Sequence, residues 1–290
     1  LVSRPQGLFT DTLVTGQVWR GQMRRVRCCI YKRFAGLADD PAPPTAQIES
    51  VAITLMSTFG EAGVAARRCT GRDLYEWLLP FFNRAVPWAS TPTDLMRQAP
   101  YPGDSAQAGE APLFGCDLSD LLNLSPPRSD LAAGTFEFDG VPVKALALQS
   151  MRSQPQTGHF SAELQSGNES FARLDRLPAG AMLSISLTVQ PQHQLERHIE
   201  RIRDASRAKS AAAMETHREC EQVLARMVQG DKLYPMMMTL YVSGHDTADL
   251  EQQISQVNAL LVPSGLRFID SRHDLVPLDT FMRGLPFNFD

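Results

Sequence analysis

The residues able to carry chemistry are few and widely spaced. A phosphate-binding loop needs Gly-x-x-x-x-Gly-Lys-Ser/Thr after a strand, because backbone N–H groups and the lysine cradle the phosphates while the hydroxyl holds Mg²⁺. No such run occurs, and none of the four lysines, Lys32, Lys144, Lys209 and Lys232, follows a glycine-rich loop. Lys232, in Gly230-Asp231-Lys232, comes after a helical pattern and before a strand, the wrong order for that site. P-loop ATP hydrolysis by these residues is therefore not expected. Metal ligation needs His, Cys or carboxylates at chelating spacing. His217 and Cys220 lie three apart and could share a helix face, but no further ligand completes a site. A surface histidine beside a half-buried cysteine is the better reading. His193 and His198 are five apart, do not stack on a helix, and read as solvated positions near a helix start. His245 precedes a capping Asp246 and reads as a turn residue. A Gly-x-Ser-x-Gly nucleophile elbow is absent. Ser184 and Ser186 fit the polar alternates of a half-buried strand. A triad assembled from distant positions stays open, because its members are neighbours in space rather than in sequence.

The strongest charge feature is basic: Arg20, Arg24, Arg25, Arg27, Lys32 and Arg33. Its functional reading is an anionic docking patch formed by Arg20, Arg24, Arg25 and Arg27, for phospholipid headgroups or an acidic partner. The plainer reading is a solvated strand face paired with local acids, which adds little stability. Arg20 and Arg24 share parity with Val18, Val26 and Ile30, so the cluster spreads over both faces or a bulge. Met236-Met237-Met238 can form an adaptable surface, but Leu240 and Val242 continue the apolar run and favour a core strand.

These residues need a scaffold, and 290 residues at 43% hydrophobic can bury a substantial core in one large domain or two modest ones. A net charge of −4 argues against a general nucleic-acid coat, which needs a basic surface to neutralise phosphates. No apolar run approaches the roughly 18 to 20 residues that span a bilayer. The start, Leu-Val-Ser-Arg-Pro, has neither the basic nor the apolar region of a signal peptide and reads as a cut end. Five cysteines, Cys28, Cys29, Cys69, Cys116 and Cys220, are odd in number and hold no Cys-x-x-Cys. That pattern argues against a disulfide framework, favours a reducing cytoplasm, and suggests that most are buried as small hydrophobes.

The elements fall into three stretches. Residues 1–87 read as a βαβα subdomain: a strand region over Gln17–Phe34, a helix over Pro44–Phe59, a short strand at Val64–Cys69, and a second helix capped by Thr70. Ile48, Val51, Ala52, Leu55 and Phe59 repeat at helical spacing and predict one buried stripe. Asp73, three residues after Thr70, predicts a capping box. Residues 88–130 hold many prolines and glycines and read as an irregular connection, with Thr91-Pro92-Thr93-Asp94 able to cap one short helix. Residues 131–290 open with a hairpin, Gly134–Phe138 and Val141–Gln149 around Asp139-Gly140, a type I′ signal. Gly158–Gln165 can add a strand. A strand over Met182–Gln190, one long polar helix over Gln192–Gln229, a strand over Tyr234–Ser243, a helix over Asp246–Leu260 and a strand over Gly265–Asp270 follow, closing on Leu275–Phe287.

The long helix would reach about 57 Å at about 1.5 Å per residue. Its stripe, from Leu195, Ile199 and Ile202 to Cys220, Val223 and Met227, is apolar at both ends and polar at Ser206 and Lys209. Either it breaks near Ser206–Ser210, or its centre stands clear of the core while its ends pack. The fold class that follows is α+β: mixed sheets, amphipathic helices, ferredoxin-like βαβ units, and one long helix in the C-terminal half.

The order and spacing of these elements resemble a known family. Leu177-Pro178-Ala179-Gly180 before the Met182 strand, the long charged helix, Tyr234, Gly244-His245-Asp246, Gly265, and Arg283-Gly284-Leu285-Pro286 carry the likeness, with weaker support from Asp11–Tyr31 and Glu61–Phe82. Together they resemble the N-terminal domain of TraC/TrbE-type conjugative-transfer ATPases of type IV secretion systems, in the subgroup of integrating conjugative elements. The resemblance implies a non-catalytic assembly and docking domain of a protein that energises pilus assembly and DNA or protein export. It implies a cytoplasmic location at the inner membrane, with inner-membrane secretion components and the protein's own ATPase domain as partners. A homo-oligomer in the full-length protein is implied, and direct nucleic-acid binding is not. No catalytic, cofactor or metal residue transfers to these positions; ATP and Mg²⁺ would belong to a P-loop domain following Asp290. The competing expectation is a free-standing cytoplasmic enzyme with a site within residues 88–130.

Overall fold

The computed structural model describes residues 8–12, 18–22, 27, 29, 45–63, 65–104, 118–152, 163–166, 169–207, 210–269 and 273–286. Its larger sheet orders five strands as β3 (Arg128–Asp130), β4 (Thr135–Phe138), β5 (Val141–Met151), β9 (Met236–Ser243) and β8 (Met182–Leu187), with antiparallel neighbours throughout. A sixth, β10 (Leu266–Phe268), pairs antiparallel with the far end of β5. A smaller sheet runs β1 (Leu8–Thr12), β2 (Val18–Gln22), β7 (Glu169–Ala172), β6 (Glu163–Ser166), with β2 and β7 parallel. The class is α+β, as expected. Asp139 and Gly140 turn β4 into β5 with φ of 53° and 80°, the left-handed pair that a type I′ turn requires.

Strand β9 is buried on both faces. Met238, Leu240 and Val242 point to one side and pack under Leu250, Val257 and Leu261 of α7 (Thr247–Leu261). Tyr241 points to the other side, among Phe81 of α2 (Gly71–Phe82), Phe136, Phe138, and Phe281 of α8 (Pro277–Arg283). The rings meet edge to face, Tyr241 on Phe281 at 5.3 Å and on Phe81 at 5.6 Å between centroids, the geometry that aligns a positive ring edge with a negative face. The Tyr241 hydroxyl donates to the Phe281 carbonyl at 2.5 Å. Burial pushes that phenol above its ordinary range, so it stays a donor.

Local signals start and stop the helices. The Thr70 hydroxyl accepts from the Asp73 N–H, and the Asp73 carboxylate accepts from the Thr70 N–H at 2.8 Å, which completes the capping box at α2. The Arg67 hydrogen bond and then the Thr70 N–H hold the Asp73 carboxyl well below the usual range. Buried Asn83 closes α2, donating to Leu79 O and Leu122 O and accepting from Leu124 N–H. It thereby ties α2 to α4 (Leu118–Leu122). Thr91 caps α3 (Pro92–Gln98), whose Leu95 joins Leu122 against Tyr75, Leu78 and Leu79 of α2. So two short helices within residues 88–130 each send one leucine, Leu95 and Leu122, into the core.

Several expectations change. The single long helix is two, α5 (Gln192–Ala205) and α6 (Ala211–Val228), folded back on each other. Ser206 Oγ donates to Ile202 O at 2.7 Å and Ser210 Oγ accepts from Ala213 N–H at 3.2 Å, so serines end one helix and start the next. Because a helical hairpin rather than one helix separates them, β8 and β9 return as antiparallel neighbours, and no βαβ crossover joins them. The second unit survives in split form: β9 and β10 both oppose β5, so they run parallel to each other with α7 between them in sequence. Residues 65–69 of the expected Val64–Cys69 strand join no sheet. Their arginines reach away instead, Arg67 to Asp73 and Arg68 to Glu49 at 2.5 Å.

Helix α1 (Thr45–Glu61) lies where expected, but its stripe is only half-buried and Ile48 is exposed. No described element packs extensively along it. Among the described cysteines, Cys29 and Cys69 are exposed and Cys220 is buried. Cys28, Cys116, most of the arginine-rich strand region and residues 158–162 lie outside the described residues.

Two motif glycines are fixed by close approach. A Cβ on Gly244 would sit 2.3 Å from the Leu250 nitrogen, and one on Gly284 2.3 Å from the Tyr241 hydroxyl and 2.8 Å from Thr239 Cβ. Gly60, inside α1, has nothing within 4 Å. Gly284→Ala is expected to destabilise by about 1–3 kcal/mol in urea unfolding, whereas Gly60→Ala stabilises by about 0.5–1 kcal/mol through helix propensity. Equal effects at the two positions would contradict the packing described around Tyr241.

Candidate functional site

Helices α5 and α6 pack chiefly on each other and form an arm. At about 1.5 Å per residue its 14- and 18-residue helices reach about 21 and 27 Å, less than half the length of one continuous helix. Its seam reuses the periodic stripe read from the sequence: buried Leu195 with half-buried Ile199 and Ile202 on α5, and buried Cys220 with half-buried Val223 and Met227 on α6. The polar centre of that stripe is the turn. Burial pushes the Cys220 thiol up, so it behaves as a small hydrophobe.

The base of the arm is tied to the sheet by one side chain. Gln192 Nε2 donates to Leu233 O at 2.9 Å, and Gln192 Oε1 accepts from Leu233 N–H at 2.8 Å. Thr188 N–H also bonds Pro235 O at 2.9 Å, which carries the β8–β9 ladder up to the base. At the other end Ser206, Arg207, Met214 and His217 line an open depression of about 310 Å³. His217 Nδ1 lies 3.0 Å from Arg203 O, and its Nε2 lies 3.4 Å from Glu221. Charges on the arm pair within a few residues: Arg203 and Arg207 with Asp204, Arg218 with Glu215. Such exposed pairs add little stability and dress a surface with both signs.

The sequence-predicted positions scatter. Arg20 lies on β2, Arg24 and Arg25 fall outside the described residues, and the Arg27 guanidinium sits 4.6 Å over the Trp77 ring. So Arg27 meets an aromatic face of α2. His193 and His198 are exposed on α5, and the His245 N–H donates to the Asp249 carboxylate at the α7 cap. The His217–Cys220 pair divides: the histidine ring is engaged at the tip side of the seam and the thiol is buried. Among the described residues no three His, Cys, Asp or Glu side chains group as metal ligands. No helix among them is long and apolar enough to cross a membrane.

A buried cation and a half-buried one escaped sequence reasoning. Lys144, 5% exposed on β5, reaches Glu251 of α7 at 2.7 Å. Its only signal is a lysine inside the run Val143-Lys144-Ala145-Leu146. Arg84 donates from Nε to Phe81 O at 3.0 Å and from Nη1 to Ser243 Oγ at 2.8 Å, fastening the C-terminal end of α2 to the end of β9. Burial pushes its guanidinium down to about 10, which leaves it charged at neutral pH. The carbonyl end of α2 favours that charge. Nothing in the local sequence marks it.

Gln192→Ala is expected to cost about 1–2 kcal/mol and to speed amide exchange at Leu233 while β9 stays protected. Matching loss across β9 would mean that the arm is not a separable unit.

A comparison with curated proteins returned no match. A family model described as TraC protein matches residues 2–289. With nearly the whole chain inside that match, the chain belongs to the TraC family of conjugative-transfer proteins.

Proposed function

We propose that this chain is a non-catalytic assembly and docking module of a conjugative-transfer secretion ATPase, seated at the cytoplasmic face of the inner membrane. The observation that carries the reading is the arm: a two-helix projection anchored through Gln192 at one end, with an exposed polar and apolar tip at the other. Such an element offers a partner side chains without disturbing the sheet that holds it. Family membership supplies the setting, because TraC proteins belong to conjugative transfer. The absence of a Gly-x-x-x-x-Gly-Lys-Ser/Thr run supports placing nucleotide chemistry in a separate P-loop domain, with ATP and Mg²⁺ bound there. In this reading the arm engages inner-membrane secretion components. Arg20, Arg24, Arg25 and Arg27 supply a basic contact for an acidic partner or headgroups.

Met214 at the tip is 58% exposed and the Arg207 side chain is 73% exposed, so both can change without emptying the core. Capture of inner-membrane secretion components by the purified chain is expected to fall about tenfold or more in Arg207→Glu/Met214→Asp. Arg24→Glu/Arg25→Glu should weaken capture in a salt-dependent way. Unchanged capture by the tip variant removes the arm from the docking surface, and turnover of ATP by the chain itself overturns the non-catalytic reading.

A further inference from the structure

Among the described residues, one edge of the larger sheet shows none of the usual protection. Among the described residues β8 is its outermost strand. Thr188 donates its N–H inward to Pro235 O. Strand alternation then turns the N–H and C=O groups of Leu183, Ile185 and Leu187 outward. Edge strands are ordinarily guarded by a charge, a proline, a bulge or a covering element. From Ala181 to Gln190 the chain reads Ala-Met-Leu-Ser-Ile-Ser-Leu-Thr-Val-Gln, with no charge and no proline. Its register with β9 is unbroken from Met182–Tyr241 to Leu187–Met236, so no bulge bends it away. The apolar side chains share the sheet face covered by α7, but the cover fades along the strand. Ile185 is 43% exposed, Leu187 64% and Val189 82%, beside Tyr234 at 44%.

We propose that β8 pairs antiparallel with β8 of a second copy of this chain about a two-fold axis, joining two larger sheets into one. Charge favours a second copy as the occupant. A strand facing its own image sets like against like, so any charge near the axis would face its own kind, and β8 has none. Parity agrees. The residues that aim their backbone outward, Leu183, Ile185 and Leu187, are all apolar, and the inward Ser184 and Ser186 between them are polar. Every self-register that joins outward backbone groups therefore sets apolar against apolar. Centred on Ile185, Leu183 meets Leu187 of the second copy, Ser184 meets Ser186, and about six backbone hydrogen bonds form. The pairing is isologous and closes at two copies. One strand pair buries less than the roughly 1,600 Å² of a standard interface, so the dimer belongs in the micromolar range. The inference concerns the sheet edge alone and does not depend on the docking role of the arm.

Sedimentation velocity of the full chain from about 1 to about 200 µM tests it. The chain is expected to pass from a 32.1 kDa monomer to twice that mass. Ile185→Pro removes an outward N–H and leaves the inner ladder intact. Ile185→Lys/Leu187→Lys sets like charges across the axis. Each is expected to weaken the dimer about tenfold or more. Leu275→Lys, at a site 92% exposed on another surface, should leave it unchanged. If the proline variant loses its circular dichroism, the lysine pair decides. A monomer across the whole range overturns the proposal, as does a dimer indifferent to the lysine pair or equally weakened by Leu275→Lys.

Discussion

The double-sided burial of β9 is the constraint on which the other layers depend. Met238, Leu240 and Val242 commit one face to α7, and Tyr241 commits the other to α2 and α8. A shift of one residue would exchange those faces and send Tyr241 under α7. The Tyr241 hydroxyl adds direction to burial, because its bond to Phe281 O fixes where α8 crosses the strand. That crossing leaves no room for a Cβ at Gly284, just as the first turn of α7 leaves none at Gly244. Two dispersed sequence motifs, around Gly244 and Gly284, thus reduce to one requirement: helices on both faces must approach β9 closely. The cations follow the same strand arrangement, with Lys144 pinning α7 from neighbouring β5 and Arg84 pinning the end of α2 to Ser243.

The sheet also explains why the arm projects. Strands β8 and β9 are consecutive in the larger sheet and antiparallel, so the chain between them must leave and return at the same end. A helical hairpin does that without occupying either face, both of which are taken where β9 is concerned. Gln192 then needs only Leu233 as an anchor. The geometry separates two parts: a registered core, and an appendage whose exposed tip lies outside that core.

What the sequence revealed follows from how local each signal is. Capping depends on residues three apart, and Thr70–Asp73, Thr91–Asp94 and Asp246–Asp249 all form as their spacing implies. The Asp139-Gly140 turn is equally local. The hairpin of α5 and α6 was half legible. Its polar middle was visible, but periodicity alone does not say whether a helix breaks there or runs on in solvent. Serines on both sides of the break decided it, through hydrogen bonds to their own helices. Strand order was invisible, because pairing joins residues about a hundred positions apart, as Val143 and Ser243 show. Arg84 was missed for the same reason, since its partner Ser243 is distant in sequence. Of the Arg20–Arg27 cluster, the described contact is that of Arg27 with the Trp77 ring, a pairing about fifty residues distant that local spacing does not reveal.

The central claim is that a core registered on β9 presents the α5–α6 arm to conjugative-transfer partners. Amide hydrogen exchange on the chain, alone and bound to inner-membrane secretion components, tests that most directly. The account predicts new protection over residues 202–207 and 210–217, at the arm tip, with β9 slow to exchange in both states. Unchanged exchange at the tip, with new protection confined to the sheets, would contradict it.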